Sequence, residues 1–283
     1  MKKIVLIPNP VKDTDFKITK EIVSKLTELD FTVYVDHLLK DKIGINVLGY
    51  DDFPTDADFL IVVGGDGSVI DASRYAVSFD VPLLGVNLGK VGYLTEVDPD
   101  NLELLARLKS GEYKLEEKML LEVSVQDGEN IITSDRLAVN DVVISHSQFL
   151  GICNFEIENE DGDSIKYRAD GVIASTPVGS TAYSFSAGGP VVSHNVDTIL
   201  LTPVSAHSFF NRSILFNGAQ TLKITNINDA DLNISIDGRF YSTLKKGASC
   251  KIKQSQKRIK TVHFASADMF STLFKKMKIL EDI

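Results

Sequence analysis

Residues 59–68 read Phe-Leu-Ile-Val-Val-Gly-Gly-Asp-Gly-Ser, and no other stretch of the chain restricts its fold as strongly. Five apolar residues, three of them β-branched, predict a buried strand. After the glycines, Val69, Ile70, Ser73 and Val77 stand at roughly helical spacing. A strand, a tight turn and a helix start are therefore expected in succession. Glycine at 64, 65 and 67 allows positive φ and lets another molecule approach the backbone closely. A helix N-terminus adds free N–H groups and a positive dipole end, which suit a phosphate. The turn holds no lysine, so it is not a Walker A loop, which needs Gly-Lys-Ser/Thr. It holds Asp66 instead. That carboxylate has two readings. It caps the helix, or it accepts a proton from an attacking hydroxyl or works beside a divalent cation. These residues alone do not choose between the two.

The flanking pattern supplies the sheet. Lys3–Ile7 reads as a first strand ended by Pro8-Asn9-Pro10, and Phe31–Val35 as a second. Between them Ile18, Ile22, Val23, Leu26 and Leu29 line one face of an amphipathic helix. Residues 36–58 carry no firm element. Pro82–Val86 is a further short strand, and a helix is expected from Pro99 to Leu108. Strand alternating with helix implies a small open parallel sheet, whose ligands bind outside the carboxyl ends of the strands. Glycine-rich turns follow both Val63 and Val86, the second running from Gly85 to Glu96.

Near Tyr113 the pattern changes to many short strands, with a hairpin signal at Asn159-Glu-Asp-Gly-Asp163. An antiparallel, sandwich-like β domain is expected there. The five basic residues in 251–260 read as a solvated β edge. Phe270, Leu273, Phe274 and Met277, behind possible caps at Ser266 and Asp268, predict a last helix returning to the first domain. The expected fold is thus α/β plus all-β: residues 1–112, completed by 261–283, and a β domain over 113–260.

Composition narrows the partners. A net charge of −9 over 283 residues argues against a general nucleic-acid binder. No apolar run approaches the ~20 residues needed to span a bilayer. Two cysteines make neither a disulfide framework nor a zinc cluster and fit a reducing cytoplasm.

Two further stretches carry chemistry. Residues 167–190 are dense in Gly, Ser and Thr beyond what a β domain needs to fold. Hydroxyls and bare backbone suit a polar ligand such as a ribose, an amide or an adenine edge, and Tyr183 would stack on a base or simply pack. The competing reading is an irregular loop of Ser/Thr turns. Asn140-Asp141, an adjacent amide and carboxylate at a strand start, would bind a ribose diol or form an ordinary turn.

Together these three stretches resemble the NAD kinase family. Gly64-Gly-Asp-Gly67 looks like its signature turn and Asn140-Asp141 like its Asn-Glu pair. Asp170-Gly171, Thr176-Pro-Val-Gly-Ser-Thr-Ala-Tyr183 and Ser186-Ala-Gly-Gly-Pro190 look like its long glycine-rich motif. The first motif is shared with phosphofructokinases and with lipid kinases; the long one is specific. The resemblance implies transfer of the γ-phosphoryl of ATP, or of a polyphosphate, to the 2′-hydroxyl of the adenosine ribose of NAD. Asp66 would be the general base, and Gly65 and Gly67 would make room for phosphates. Asn140 and Asp141 would hold ribose hydroxyls. Thr181, Ala182, Tyr183 and Ser186, with Ser184 among them, would contact the dinucleotide. Arg168 and Asp170 would share that pocket, Asp170 reaching a neighbouring subunit's ligand, and Tyr93 would line the adenine region. Mg²⁺ or another divalent ion would bridge the donor phosphates, with no protein ligands identified, and a homodimer or homotetramer is implied.

Three departures stand out. Asp141 replaces the usual Glu, one methylene longer. Ala206 precedes His207 where the family often has Pro-His, so His207 receives no role. Arg239 follows Asp237-Gly238 where Gln is common, and would meet a phosphate or adenine. Two alternatives keep the glycine turn or the pocket: a lipid or sugar kinase, and a non-catalytic dinucleotide sensor. A dehydrogenase is disfavoured, because no G-x-G-x-x-G follows the first strand.

Overall fold

The computed structural model describes residues 1–44, 46–89, 92–147, 151–207 and 210–264. The last helix expected around Phe270–Met277 lies outside these residues, as does Lys90 of the second glycine turn. The chain divides into two compact units. Unit 1 comprises Met1–Glu117 and the segment from Ile259, and unit 2 comprises Lys118–Arg258.

Unit 1 contains β1 (Lys3–Pro8), α1 (Lys17–Glu28), β2 (Thr32–Asp36), α2 (His37–Ile43), β3 (Leu48–Tyr50), β4 (Phe59–Gly64), α3 (Asp66–Ser78), β5 (Leu83–Asn87) and α4 (Ala106–Ser110). The strands are all parallel in the order β5-β4-β1-β2-β3. Every residue of β4 and β5 is buried, as a central parallel strand covered on both faces requires. Helix α1 buries Thr19, Ile22, Val23 and Leu26 along one stripe. Its first turn is held by Asp13, whose carboxylate accepts the N–H groups of Ile18 at 3.0 Å and Thr19 at 2.8 Å.

Three sequence readings of this unit are corrected. Residues 36–58 hold α2 and β3. Asp36 caps α2 by accepting the Leu38 N–H at 2.9 Å, but α2 has seven residues and buries only Ile43, too little for a periodic signal. The helix expected over 99–108 is a 3₁₀ segment, Pro99–Leu105, broken at Asn101, followed by the short α4. Finally, none of Gly64, Gly65 and Gly67 has positive φ. Their smallness serves close approach instead.

Unit 2 is antiparallel. After β6 (Lys114–Asp127) come β7 (Asn130–Ala138), β8 (Asp141–His146), β9 (Cys153–Glu158), β10 (Ser164–Ala169), β11 (Gly171–Ser175), α5 (Tyr183–Ser186), β12 (Thr198–Val204), β13 (Ile214–Asn217), β14 (Leu222–Asn226), β15 (Leu232–Ile236), β16 (Arg239–Leu244) and β17 (Ser249–His263). One sheet runs β13-β12-β11-β8-β15-β16. Across from it, β9 pairs with β10 and β14, and β14 with the start of β17. Alternate residues from both layers, among them Val142, Ile144, Phe155, Ile157, Val172, Ile199, Ile224 and Ile252, meet in one apolar core. The hairpin expected at 159–163 is present, with Gly162 at φ +84°.

Two further corrections fall here. Residues 171–175, inside the Gly-, Ser- and Thr-rich stretch whose competing reading is an irregular loop, form the fully buried central strand β11. Nor is the basic run 251–260 a sheet edge. Its strand pairs with β14 on one side and also with β6, and its last residues pair with β5, Thr261 opposite Leu83.

Candidate active site

In unit 1 the glycine turn joins β4 to α3. Gly65 occupies the N-cap position and Asp66 is the first helical residue. The Asp66 carboxylate reaches the second glycine turn. Its Oδ2 accepts the Tyr93 N–H at 3.1 Å and its Oδ1 the Leu94 N–H at 3.0 Å. The capping reading of Asp66 therefore fails. Two backbone donors fix the orientation of the carboxylate, and each oxygen keeps a further lone pair for a proton. Gly92 belongs to the same arrangement, since a Cβ there would lie 3.1 Å from Asp66 Oδ1 and 1.8 Å from Thr95 Oγ1. Burial first, then the Asp66 charge, push the Tyr93 phenol above its ordinary pKa.

The glycines differ in use. A Cβ on Gly64 would strike Ser68 Oγ at 2.3 Å, whereas one on Gly67 would project into open space. A Cβ on Gly65 would stand 2.6 Å from the ammonium of Lys12. Lys12 is the residue the sequence reading missed. The turn has no lysine of its own, and the loop after β1 brings one to it. Asn9 holds that loop: its Oδ1 accepts the N–H groups of Val11 (3.0 Å) and Lys12 (3.2 Å), and its Nδ2 donates to Ser68 Oγ at 2.8 Å. The free N–H groups at the start of α3, the bare Gly67 and the Lys12 cation together have the chemistry that suits a phosphate.

In unit 2 a cavity of about 650 Å³ gathers Asn140, Asp141, Asp170, Ala182 and Tyr183 of the expected site, together with Asp237. Asp237 organises its floor. Its carboxylate accepts the N–H groups of Val139 (2.9 Å), Asn140 (2.7 Å) and Asp141 (3.1 Å). Beside it Asp141 is 4% exposed. Burial, then the neighbouring Asp237 charge, push the Asp141 carboxyl up to about 7. The other side of the 139–141 segment is held by Thr176, whose hydroxyl donates to Val139 O at 2.6 Å and whose N–H donates to Asn140 O at 2.9 Å. Gly179 packs so closely that a Cβ would lie 2.0 Å from that same oxygen. At the rim, Asp170 Oδ1 lies 3.3 Å from His207 Nε2, so the histidine left without a role pairs with a pocket acid. Tyr183 is 46% exposed, with a ring free to meet a ligand.

The hydroxyl-rich stretch is therefore mostly internal scaffolding. Ser180 Oγ donates to Pro177 O and accepts the Val192 N–H. Thr181 Oγ1 donates to Val178 O, and Ser184 Oγ shares a hydrogen bond with Thr202 Oγ1 at 2.8 Å. Ser184 is fully buried and Thr181 nearly so. Both side chains brace the loop that carries Ala182 and Tyr183. Arg168, Ser186 and Arg239 are exposed and do not line the cavity.

Among the described residues no group of three or more His, Cys, Asp or Glu could hold a metal.

Both units have counterparts among known proteins. Residues 4–113 match the model of the ATP-NAD kinase N-terminal domain, and residues 139–264 that of the ATP-NAD kinase C-terminal domain. An NAD kinase of Natranaerobius thermophilus is 35% identical over 98% of each chain. One from Thermoanaerobacter sp. is also 35% identical, over 98% of this chain and 99% of its own. Among solved structures, yeast NADH kinase complexed with NADH superposes with a TM-score of 0.84 at 22% identity, covering 98% of this chain and 88% of that one. An NAD kinase from Archaeoglobus fulgidus in complex with ATP gives 0.73 at 23% identity over 98% of each. With both of its units matched by family models and relatives similar along its whole length, the chain belongs to the ATP-NAD kinase family.

Proposed function

We infer that the chain works as its family does, phosphorylating NAD with ATP to give NADP, and we propose that Asp66 is the general base. One observation carries the assignment of the base. In a turn stripped of side chains, the Asp66 carboxylate is held by two backbone N–H groups of the neighbouring loop. That arrangement suits proton acceptance and serves no cap. In the proposed step the 2′-hydroxyl of the adenosine ribose attacks the γ-phosphorus of ATP. Its proton passes to Asp66, and the bond from the γ-phosphorus to the β,γ-bridging oxygen breaks, releasing ADP. Such a transfer depends on positioning and on charge stabilisation. The α3 N-terminus, Gly65, Gly67 and Lys12 supply both to the phosphates. Asn140, Asp141 and Asp170 supply acceptors for ribose hydroxyls, and Tyr183 a face for a ring. A divalent ion such as Mg²⁺ would enter with ATP, bound to its phosphates. The turn and Lys12 address phosphate alone, so the same step would take a polyphosphate as donor.

A homodimer or homotetramer in the cytoplasm is part of the same proposal. Both cysteines, Cys153 and Cys250, are buried free thiols, as a reducing compartment favours. No described helix is long and apolar enough to cross a membrane. The test is incubation of the pure protein with ATP, Mg²⁺ and either NAD or diacylglycerol. NADP must form and phosphatidic acid must not. Binding of NAD without phosphorylation would establish a sensor instead.

A further inference from the structure

Glu96 ends the second glycine turn, and its side chain is 11% exposed. A carboxylate so far from water is costly unless it is well partnered. Glu96 is partnered at both oxygens, by one short segment of unit 1. Its Oε1 accepts the Phe264 N–H at 2.8 Å, and its Oε2 lies 2.9 Å from His263 Nδ1. The His263 ring is held at its other nitrogen too, where Nε2 lies 2.9 Å from Thr261 Oγ1 and 3.5 Å from the Glu116 carboxylate. The Phe264 carbonyl in turn accepts Arg107 Nη1 at 2.8 Å, and the side chains of Val262 and Phe264 are buried in the apolar core of unit 1. The anchor that Glu96 grips is therefore tied into that core.

The loop that Glu96 fastens is the one that holds Asp66. Only Thr95 separates Glu96 from Leu94, whose N–H, with that of Tyr93, fixes the Asp66 carboxylate. We propose that Glu96 is a positioning residue for the reaction: its clamp on His263 and Phe264 sets the place of the Tyr93 and Leu94 N–H groups and, through them, the aim of Asp66. The proposal rests on the reading of Asp66 as general base. With both oxygens engaged and the side chain almost buried, Glu96 acts through the loop and not on a substrate. The backbone supplies a second fastening. The N–H groups of Glu96 and Val97 both donate to Gly85 O, at 2.9 and 3.2 Å. A Cβ on Gly85 would lie 2.9 Å from Leu94 O and from Thr95 Cα, so the loop lies directly on β5. Those contacts hold the loop to the sheet, and the side-chain clamp holds it to residues 263–264. With both in place Tyr93 and Leu94 have little room to shift. Precision matters there, since a displacement of about 1 Å at a reacting group can cost roughly 10²-fold in rate.

A double-mutant cycle on the full-length protein separates positioning from mere support of the fold. Steady-state NADP formation and thermal unfolding are measured for wild type, Glu96→Ala, Asp66→Asn and the double variant. Glu96→Ala alone should lower kcat by roughly tenfold to a hundredfold. In the Asp66→Asn background the same substitution should change kcat by less than about twofold, because no base is left to aim. Losses that multiply, or a folded Glu96→Ala variant with wild-type kcat, would overturn the proposal. Glu96→Gln keeps an acceptor for the Phe264 N–H and should show the same pattern with a smaller loss; it decides the question if Glu96→Ala does not fold. Amide hydrogen exchange gives a readout independent of activity. The Tyr93 and Leu94 N–H groups should exchange faster in Glu96→Gln while the buried strand β4 stays protected, and unchanged exchange at both would break the link between clamp and loop. Failure of the base reading looks different. Asp66→Asn with wild-type kcat removes the base and the purpose of the clamp together, whereas an impaired Asp66→Asn with multiplying losses leaves the base and removes the clamp alone.

Discussion

Replacing Asp141 by asparagine isolates a buried acid whose titration the fold has displaced. The Asp141 carboxyl moves from an ordinary 3.8 to about 7, through burial and then the Asp237 charge. Between those two pH values the folded chain holds a proton that the unfolded chain has lost. The stabilising contribution is therefore complete below about pH 4 and disappears as pH rises through about 7. Three units at ~1.4 kcal/mol each set its size at about 4 kcal/mol. Asparagine has nearly the same shape and no charge, so the variant lacks this dependence. Urea denaturation followed by circular dichroism, on both proteins at several pH values, measures it. Titrating groups other than Asp237, which is coupled to Asp141, cancel in the difference between the two curves. From about pH 4 to pH 8 the variant should gain on wild type by up to about 4 kcal/mol. A constant difference across that range would show that Asp141 titrates normally, and that the crowding by Asp237 is not felt.

Other substitutions test the remaining supports. Asp237→Ala leaves three backbone N–H groups of the 139–141 segment without their acceptor; thermal unfolding should show a loss of about 3 kcal/mol or more, and NAD affinity should fall with it. Gly179→Ala drives a Cβ into the Asn140 carbonyl, so NAD binding measured by calorimetry should weaken at least tenfold, by order of magnitude, because the backbone on both sides is fixed. Lys12→Ala should raise the KM for ATP about tenfold, by the loss of one phosphate contact, with the affinity for NAD unchanged in a direct binding assay.

How much of this could be read from the residues depends on the range of the forces involved. The strand and turn over 59–67 were legible because β4 is buried on both faces, and burial shows as an uninterrupted apolar run. The two-unit fold class followed from periodicity in the same way. By contrast α2 and β3 rest on one buried residue and three mostly exposed ones, and neither produces a period. Within the site, Asn140-Asp141 and Asp170 were recognisable through the resemblance, but what holds them was not. Asp237-Gly238 is a hairpin signal, and both residues do have positive φ, +49° and +76°. Only the tertiary fold shows that the Asp237 carboxylate then turns onto another strand's N–H groups. Lys12 escaped for the same reason, being close to Gly65 in space and distant in sequence. The hydroxyls of 175–184 misled in the opposite direction. A Ser or Thr that serves a neighbouring carbonyl looks the same in sequence as one that serves a ligand.

The role of Asp66 is tested most directly by Asp66→Asn, which preserves shape and removes proton acceptance. Steady-state NADP formation and equilibrium NAD binding are to be measured on the same preparation. General-base catalysis predicts a fall in kcat of roughly 10²–10⁴-fold with NAD affinity held within about twofold. A variant that turns over at the wild-type rate would show that Asp66 only braces the loop at Tyr93 and Leu94, and that the proton leaves the ribose by another route.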